Sequence, residues 1–396
     1  MTFRYSNSVP KSNENATADI LKAAADSKVI SFAGGLPAAE LFPVKQMKAA
    51  ADKVFDLYGH EVLQYAGTLG YPGLREEIVK LMKDRDVETT ADNIAVSTGS
   101  QQAIDLVARM LINPGDVVIT EDPTYLAAID VFKSYGAKMV GVPMDEDGIK
   151  TDALEETVKK YPEAKFIYTI PNFQNPTGRT MAVERRKELI RIANEADLPV
   201  LEDDPYGAIR YAGEFLPSLK HYDTDGRVVY LSSFSKILAP GMRLGWLVAN
   251  PDFMAKYMLL AQNADLHADN LTQYIAAQFL QDYDVKEHIK KITDVYEHRA
   301  NLMLKEIDEQ FPENVHHSIP QGGMFIWVEV PGVDTKQLFD ECIEHNVAFV
   351  PGSAFFANEE QPGTFRMNFS NMNDEQIVEG VKRMGEAIKA VQTQAK

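Results

Sequence analysis

Between about residue 45 and residue 280 the chain alternates short apolar runs with stretches of helical periodicity. The runs are Ile94-Ala95-Val96-Ser97, Asp116-Val117-Val118-Ile119-Thr120, Lys138-Met139-Val140-Gly141-Val142, Phe166-Ile167-Tyr168-Thr169-Ile170, Pro199-Val200-Leu201-Glu202 and Val228-Val229-Tyr230-Leu231-Ser232. They are nearly continuous in apolar character, so each predicted strand is covered on both faces. Helical segments such as Gly73 to Lys83 and Gln101 to Leu111 separate them. This alternation predicts an α/β domain with a mixed, mostly parallel sheet between helical layers. An earlier stretch, Val29-Ile30-Ser31-Phe32-Ala33-Gly34-Gly35-Leu36-Pro37, reads as a short strand breaking into a loop. A long helical stretch is predicted from about Pro251 to Glu309. Beyond it, Met324-Phe325-Ile326-Trp327-Val328-Glu329-Val330 and Phe365-Arg366-Met367-Asn368-Phe369 read as strands of a smaller α+β domain. The expected division is 46–289 for the large domain and 290–396 for the small one. Residues 1–45 are expected to be an arm plus part of the small domain. The first twenty or so, rich in Ser, Asn and Thr, predict a mobile arm.

A chain of 396 residues suffices for two domains and a large core. Its 45% hydrophobic and 25% charged residues are those of a soluble globular protein. The formal net charge of -18 argues against nucleic acid, because a polyanion is bound through a basic footprint. The one cysteine, Cys342, allows no disulfide within the chain and no thiolate metal cluster. Its neighbours read as an amphipathic helix, so a small buried apolar residue is expected there. Met1 to Asp19 lacks an apolar leader core, and no run is long enough to span a bilayer. A cytoplasmic protein without membrane or metal is expected.

Chemistry concentrates in polar segments that follow strand ends, where open α/β sheets bind ligands. Ser232-Ser233-Phe234-Ser235-Lys236 places one lysine among hydroxyls, with Arg243 shortly after. A lysine amine forms Schiff bases with carbonyl compounds, pyridoxal phosphate among them. Ser233, Ser235 and the Arg243 guanidinium suit a phosphate. A solvated surface lysine is the competing reading of Lys236. Ser97-Thr98-Gly99-Ser100-Gln101 opens a helix, so Ser100 and Gln101 either cradle a phosphate or form a plain helix start. Tyr125, after Asp122-Pro123-Thr124, is either a flat partner for a planar cofactor or a core ring. Asn175 before Pro176 is an ordinary turn residue or a donor to a phenolate oxygen. Glu202-Asp203-Asp204-Pro205-Tyr206 gathers acids that repel one another unless something cationic, such as a pyridinium nitrogen, sits among them. Tyr206 would share the phenolate oxygen with Asn175. Arg366 interrupts an apolar strand, so it serves either a structural ion pair or a substrate carboxylate held bidentately.

With these motifs in this order, the chain resembles fold-type I pyridoxal-phosphate (PLP) dependent aminotransferases of class I/II. The branch it resembles contains kynurenine/2-aminoadipate and bacterial aromatic aminotransferases. The resemblance runs from Ser31-Phe32-Ala33-Gly34-Gly35-Leu36-Pro37 through Leu63-Gln64-Tyr65 and the motifs above to Arg366. It implies a three-layer α/β/α cofactor domain. It makes Lys236 the cofactor anchor and general base, and Asp203 the partner of the pyridine nitrogen. It further implies a homodimer with shared sites, in which Tyr65 reaches the neighbouring cofactor's phosphate. Gly35, Leu36 and Phe325 would line the substrate pocket. Members often carry an arginine in the N-terminal helix. Here that region reads Asn15-Ala16-Thr17-Ala18-Asp19, and no arginine stands between Arg4 and Arg75. The expected activity is transamination of aromatic or other hydrophobic amino acids, with 2-aminoadipate a further donor and 2-oxoglutarate the acceptor. A β-lyase or decarboxylase on the same fold stays open. A transcription regulator with a related effector domain is disfavoured, because the pattern begins by about residue 30 and the charge is acidic.

Overall fold

A computed structural model describes residues 3–9, 28–358 and 360–394. The expected arm is therefore described only over 3–9, and the Asn15 to Asp19 stretch lies outside the described residues. Short β1 (Ile30–Ser31) stands apart from the main sheet. The sheet comprises β2 (Ile94–Ser97), β3 (Val117–Asp122), β4 (Lys138–Asp145), β5 (Gly148–Ile149), β6 (Phe166–Thr169), β7 (Val200–Asp203), β8 (Val228–Ser233) and β9 (Gly245–Val248). Their spatial order is β2-β9-β8-β7-β6-β3-β4-β5. The run from β8 to β4 is parallel, while β9 is antiparallel to both neighbours and β5 is antiparallel to β4.

Successive side chains of the inner strands enter two separate cores. Val118, Phe166, Tyr168, Leu201 and Val229 pack on one face. Val117, Ile119, Ile167, Val200 and Val228 pack on the other, against Leu154 and Leu189 of helices Thr151–Lys160 and Val183–Glu195. This is why the strands read as continuous apolar runs: both faces are dry. The result is the expected three-layer α/β/α arrangement, with helix Gly99–Leu111 in the first core's layer.

The single helical stretch expected from 251 to 309 is three helices, Pro251–Asp265, Asn270–Asp282 and Val285–Gln310. Each start is capped. Asn250, Asp269 and Asp284 accept from the backbone N–H of Phe253, Thr272 and Lys286. Capping satisfies donors that the helix itself leaves free. The last helix runs unbroken through residue 290.

A second sheet is formed by β10 (His316–His317), β11 (Phe325–Glu329), β13 (Val350–Pro351) and β14 (Thr364–Asn368), in the order β10-β11-β14-β13 and all antiparallel. β12 (Val347–Ala348) pairs in parallel with β1, which ties the N-terminal segment to this half. Helices Thr335–Glu344 and Asp374–Gln394 complete it, with Cys342 buried in the former. Among the described residues no helix is long and apolar enough to cross a membrane.

Candidate active site

The carboxyl ends of the parallel strands open onto a cavity of about 320 Å³. The turn after β2 supplies Ser100 and Gln101, and the loop after β3 supplies Tyr125. Asn175 follows β6; Asp203 ends β7, with Tyr206 just beyond. Ser233, Ser235, Lys236 and Arg243 come from the β8–β9 connection. The second sheet contributes Phe325 and Arg366, and the N-terminal loop contributes Gly35. All of these were candidates from sequence. Two candidates are elsewhere in the chain. Leu36 is 56% exposed, and Tyr65 is 78% exposed beside Tyr71 and Tyr274 in a separate depression.

The acidic run divides. Glu202 accepts from the Leu219 and Lys220 backbone N–H groups at 2.8 and 2.9 Å. Asp204 accepts from Asn172, Tyr230 and the Gly207 N–H. Only Asp203 faces the cavity. Its Oδ2 accepts from the Tyr168 hydroxyl at 2.7 Å, while its buried Oδ1 has no partner. Burial pushes this carboxyl up to about 7; the Tyr168 bond opposes that and the Asp204 charge adds to it. The repulsion expected within this run is thus relieved in two ways. Two have structural donors, and one is left for the cavity.

Lys236 Nζ donates to the Gly35 carbonyl at 2.8 Å. Burial first, then the charges of Arg366 and Arg243, lower its pKa to about 8. Ser233 Oγ bonds Ser235 Oγ at 2.8 Å and accepts from the Ser235 N–H at 3.0 Å, which folds this turn into a hydroxyl-lined pocket. Arg243 adopts a left-handed backbone, φ 52°, and reaches the Thr98 carbonyl at 3.4 Å. Gly99 makes room for it: a Cβ there would lie 2.5 Å from the Arg243 guanidinium. Gly245 likewise lets β9 pass the Ser100 N–H, which a Cβ would approach to 2.6 Å.

Arg366 is buried between two rings, 4.2 Å from the Phe325 centroid and 5.0 Å from that of Phe355. It donates to Asn175 Oδ1 at 2.7 Å and to the Ala33 carbonyl at 2.9 Å, and its Nε has no partner. No carboxylate pairs with it among the described residues, which disposes of the structural ion-pair reading. With Oδ1 engaged, Asn175 keeps Nδ2 for the cavity, 3.5 Å from the Tyr206 hydroxyl. Tyr125 lies against the cavity, its hydroxyl 3.3 Å from Gln101 Oε1.

Sequence reasoning missed Tyr168 and Phe355. A signal existed for Tyr168: a tyrosine on a dry strand needs a hydrogen-bond partner. Its register opposite Leu201 puts Asp203 two residues along, on the same face.

Three cationic side chains and one unpartnered carboxylate oxygen form an anion-attracting cleft in a chain of net charge -18. This donor set fits PLP. Asp203 Oδ1 lacks the N–H that a protonated pyridine carries, the Lys236 amine is lowered to about 8 within the same cavity, and the hydroxyl turn with Arg243 suits the phosphate.

Comparison with known proteins agrees. The model of the family "Aminotransferase class I and II" matches residues 27–384. Aromatic-amino-acid aminotransferase 1 of Thermococcus litoralis is 42% identical, covering 94% of this chain and 90% of its own. The crystal structure of a multiple substrate aminotransferase from Thermococcus profundus superposes with a TM-score of 0.93 at 41% identity, over 98% of each chain. The α-aminoadipate aminotransferase of Thermus thermophilus, solved with N-(5'-phosphopyridoxyl)-L-leucine, gives 0.91 at 36% identity, also over 98% of each.

Proposed function

This chain belongs to the class I and II aminotransferases and depends on PLP, and from that premise we propose that it transfers the amino group of aromatic and other hydrophobic amino acids, 2-aminoadipate included, to 2-oxoglutarate. The observation that carries this reading is Arg366 held between Phe325 and Phe355, facing the cavity that holds Lys236. A guanidinium orients an α-carboxylate, and Phe325, which lines the cavity beside it, favours an apolar side chain. The names of the similar proteins, aromatic, multiple-substrate and α-aminoadipate aminotransferases, support that breadth.

Bound here, PLP supplies a carbonyl carbon for Schiff-base formation and a cationic ring that accepts the electrons of the broken Cα–H bond. The protein's residues do the rest. Ser100, Gln101, Ser233, Ser235 and Arg243 hold the phosphate. Tyr125 would pack on the cofactor ring, and Asn175 Nδ2 and the Tyr206 hydroxyl, 3.5 Å apart in the same cavity, would donate to its phenolate oxygen. Asp203 Oδ1 would accept from a protonated ring nitrogen, while Tyr168 fixes the carboxylate's orientation through Oδ2. Arg366 grips the substrate carboxylate, turning the Cα–H bond toward Lys236. Lys236 would hold the cofactor's carbonyl carbon through Nζ, and the same amine, when free, would serve as base and acid for the substrate's α-proton. With its pKa lowered to about 8, that amine carries and sheds a proton near neutrality.

We infer a cofactor domain of 46–289 and a small domain of 290–396, with part of 1–45 belonging to the latter; the pairing of Ile30–Ser31 with Val347–Ala348 supports that union. The working unit is a homodimer. Tyr65 and Leu36, exposed and away from their own chain's cavity, are the side chains that a second subunit would use. Mixing Lys236→Ala with Tyr65→Phe protein then restores one site per hybrid; no recovery of activity would refute sharing. A cytoplasmic location suits a chain with no disulfide among its residues.

The test of the activity is a panel of amino acids against holoenzyme, following the cofactor absorbance as the amino group is transferred. Phenylalanine, tyrosine, leucine, 2-aminoadipate and aspartate are compared by kcat/KM. A preference of about tenfold for aspartate or 2-aminoadipate over every aromatic, or about 1.4 kcal/mol, would reject the hydrophobic reading. Release of oxo acid and ammonia over many turnovers without any acceptor would indicate a lyase.

A further inference from the structure

A second cavity of about 310 Å³, nearly the volume of the first, lies behind the active site. Pro205 and Ser233 form the partition, since both line each cavity. Consecutive acids mark the two sides: Asp203 belongs to the first cavity and Asp204 to the second. Nothing in the proposed reaction uses this space. Its size is within the range of small-molecule sites, which run from about 300 to 1,000 Å³.

Its walls define what would bind. Leu81, Ile237, Trp246, Val285 and Ile289 are apolar. Most polar groups are already engaged. Ser232 Oγ donates to the Asp204 carbonyl at 2.8 Å, and the Tyr230 hydroxyl donates to Asp204 Oδ2 at 2.9 Å. The other Asp204 oxygen accepts from Asn172 and Gly207. At the rim, Lys286 pairs with Asp84 at 2.8 Å. Arg85 differs. It is half-buried, its Nη1 donates to the Gly207 carbonyl at 2.6 Å, and among the described residues no carboxylate pairs with it. A guanidinium with unused N–H groups beside an apolar pocket recognises a planar anion joined to a hydrocarbon body. An ammonium would be poorly served, because both Asp204 oxygens already accept bonds.

The geometry points to a second small-molecule site, distinct from the catalytic one, that takes a small aromatic or branched-chain monocarboxylate on Arg85 with its apolar body against Trp246 and Ile289. This site stands independently of the substrate assigned above. Its occupant touches Ile237, next to Lys236 in the chain.

Trp246 provides the readout. The chain has two tryptophans, so Trp327→Phe holoenzyme reports from Trp246 alone. That protein is titrated with 4-phenylbutyrate, and calorimetry on the unsubstituted holoenzyme measures the same affinity without relying on the variant. A saturable change in Trp246 emission is expected. Arg85→Gln should weaken binding by at least about tenfold, the loss of a charge-assisted pair. Arg85→Lys should restore part of it. Ala208→Phe, which fills the cavity, should abolish it while leaving Arg85 in place. Melting temperatures are followed throughout, and a variant that does not fold is set aside in favour of the other. The proposal is overturned if no saturable change occurs, or if a folded Arg85→Gln or Ala208→Phe protein binds as tightly as the parent; the carboxylate would then be sitting in the catalytic cavity or nowhere.

Discussion

Asp203→Asn tests the electronic core of the site. The substitution preserves shape, and the new Oδ1 can still accept from the Tyr168 hydroxyl, which stands 2.7 Å from the native carboxylate. What it removes is charge. In the cofactor-free protein burial raises the Asp203 pKa from 3.8 to about 7. That rise corresponds to on the order of 4 kcal/mol against the ionised form. A protonated ring nitrogen at the orphaned Oδ1 offsets this cost, and the same carboxylate in turn keeps the ring protonated. If most of that energy is expressed as the α-proton leaves, kcat falls by about a thousandfold, since each 1.36 kcal/mol is a factor of ten. Cofactor affinity should suffer less, because the phosphate contacts of Ser233, Ser235 and Arg243 are untouched. The assay is stopped-flow single turnover with phenylalanine at saturating PLP, alongside equilibrium cofactor binding. Asp204→Asn is the control, since Asp204 lines the other cavity and should leave the chemical step within a few-fold of wild type. Near-native kcat in Asp203→Asn, or a loss confined to Asp204→Asn, would refute the assignment.

Lys236→Ala should lower turnover by about ten-thousandfold or more, the upper range for a lost acid–base group, with PLP still bound through its phosphate; borohydride reduction of wild-type holoenzyme followed by peptide mapping must put the pyridoxyl label on Lys236 and no other lysine. Arg366→Lys removes the fork and should reduce kcat/KM by about a hundredfold, roughly 2.7 kcal/mol, mostly through KM for the amino acid; unchanged kcat/KM would return Arg366 to a structural role. Glu121, Glu202 and Asp203, raised by burial to about 7, 8 and 7, bind protons more tightly folded than unfolded, so the stability of cofactor-free protein should fall as pH rises from about 5 through 8. His288, lowered by burial, opposes this near pH 6, and Lys236 opposes it only above about 8. Thermal unfolding across that range checks the sign, and a rising melting temperature would contradict it.

Much of the fold was legible because burial on both faces leaves a plain mark. β2 was read with its observed bounds, and the parallel strands were found to within two or three residues at each end. β9 was passed over. Its four residues follow directly on Arg243 and Leu244, so the polar motif hid the strand. The three-helix resolution of 251 to 309 depended on Asp269 and Asp284, which read equally well as surface acids until their side chains are seen to accept backbone N–H bonds. Site residues carried by short-range motifs, such as Ser233, Ser235 and Lys236, needed no tertiary information. Phe355 did: it reaches Arg366 only because β13 and β14 pair, a contact that no local pattern announces.

The Glu202-Asp203-Asp204 run shows why composition misleads where geometry decides. Read as a cluster, these acids repel one another unless a cation sits among them. In the folded chain their side chains part. Glu202 turns to the Leu219 side and Asp204 to the Asn172 and Tyr230 side, and each finds neutral donors there. Those bonds satisfy the oxygens of Glu202 and Asp204 within the fold, even though burial still pushes Glu202 up to about 8. Asp203 accepts one bond, from Tyr168, and is left with an unpartnered oxygen facing the cavity. Burying one under-satisfied carboxylate is destabilising to the empty protein, and a fold selected for stability alone would add a second donor, as it has for its neighbours. The missing donor is therefore the informative feature: it marks where a ligand must bring a proton of its own.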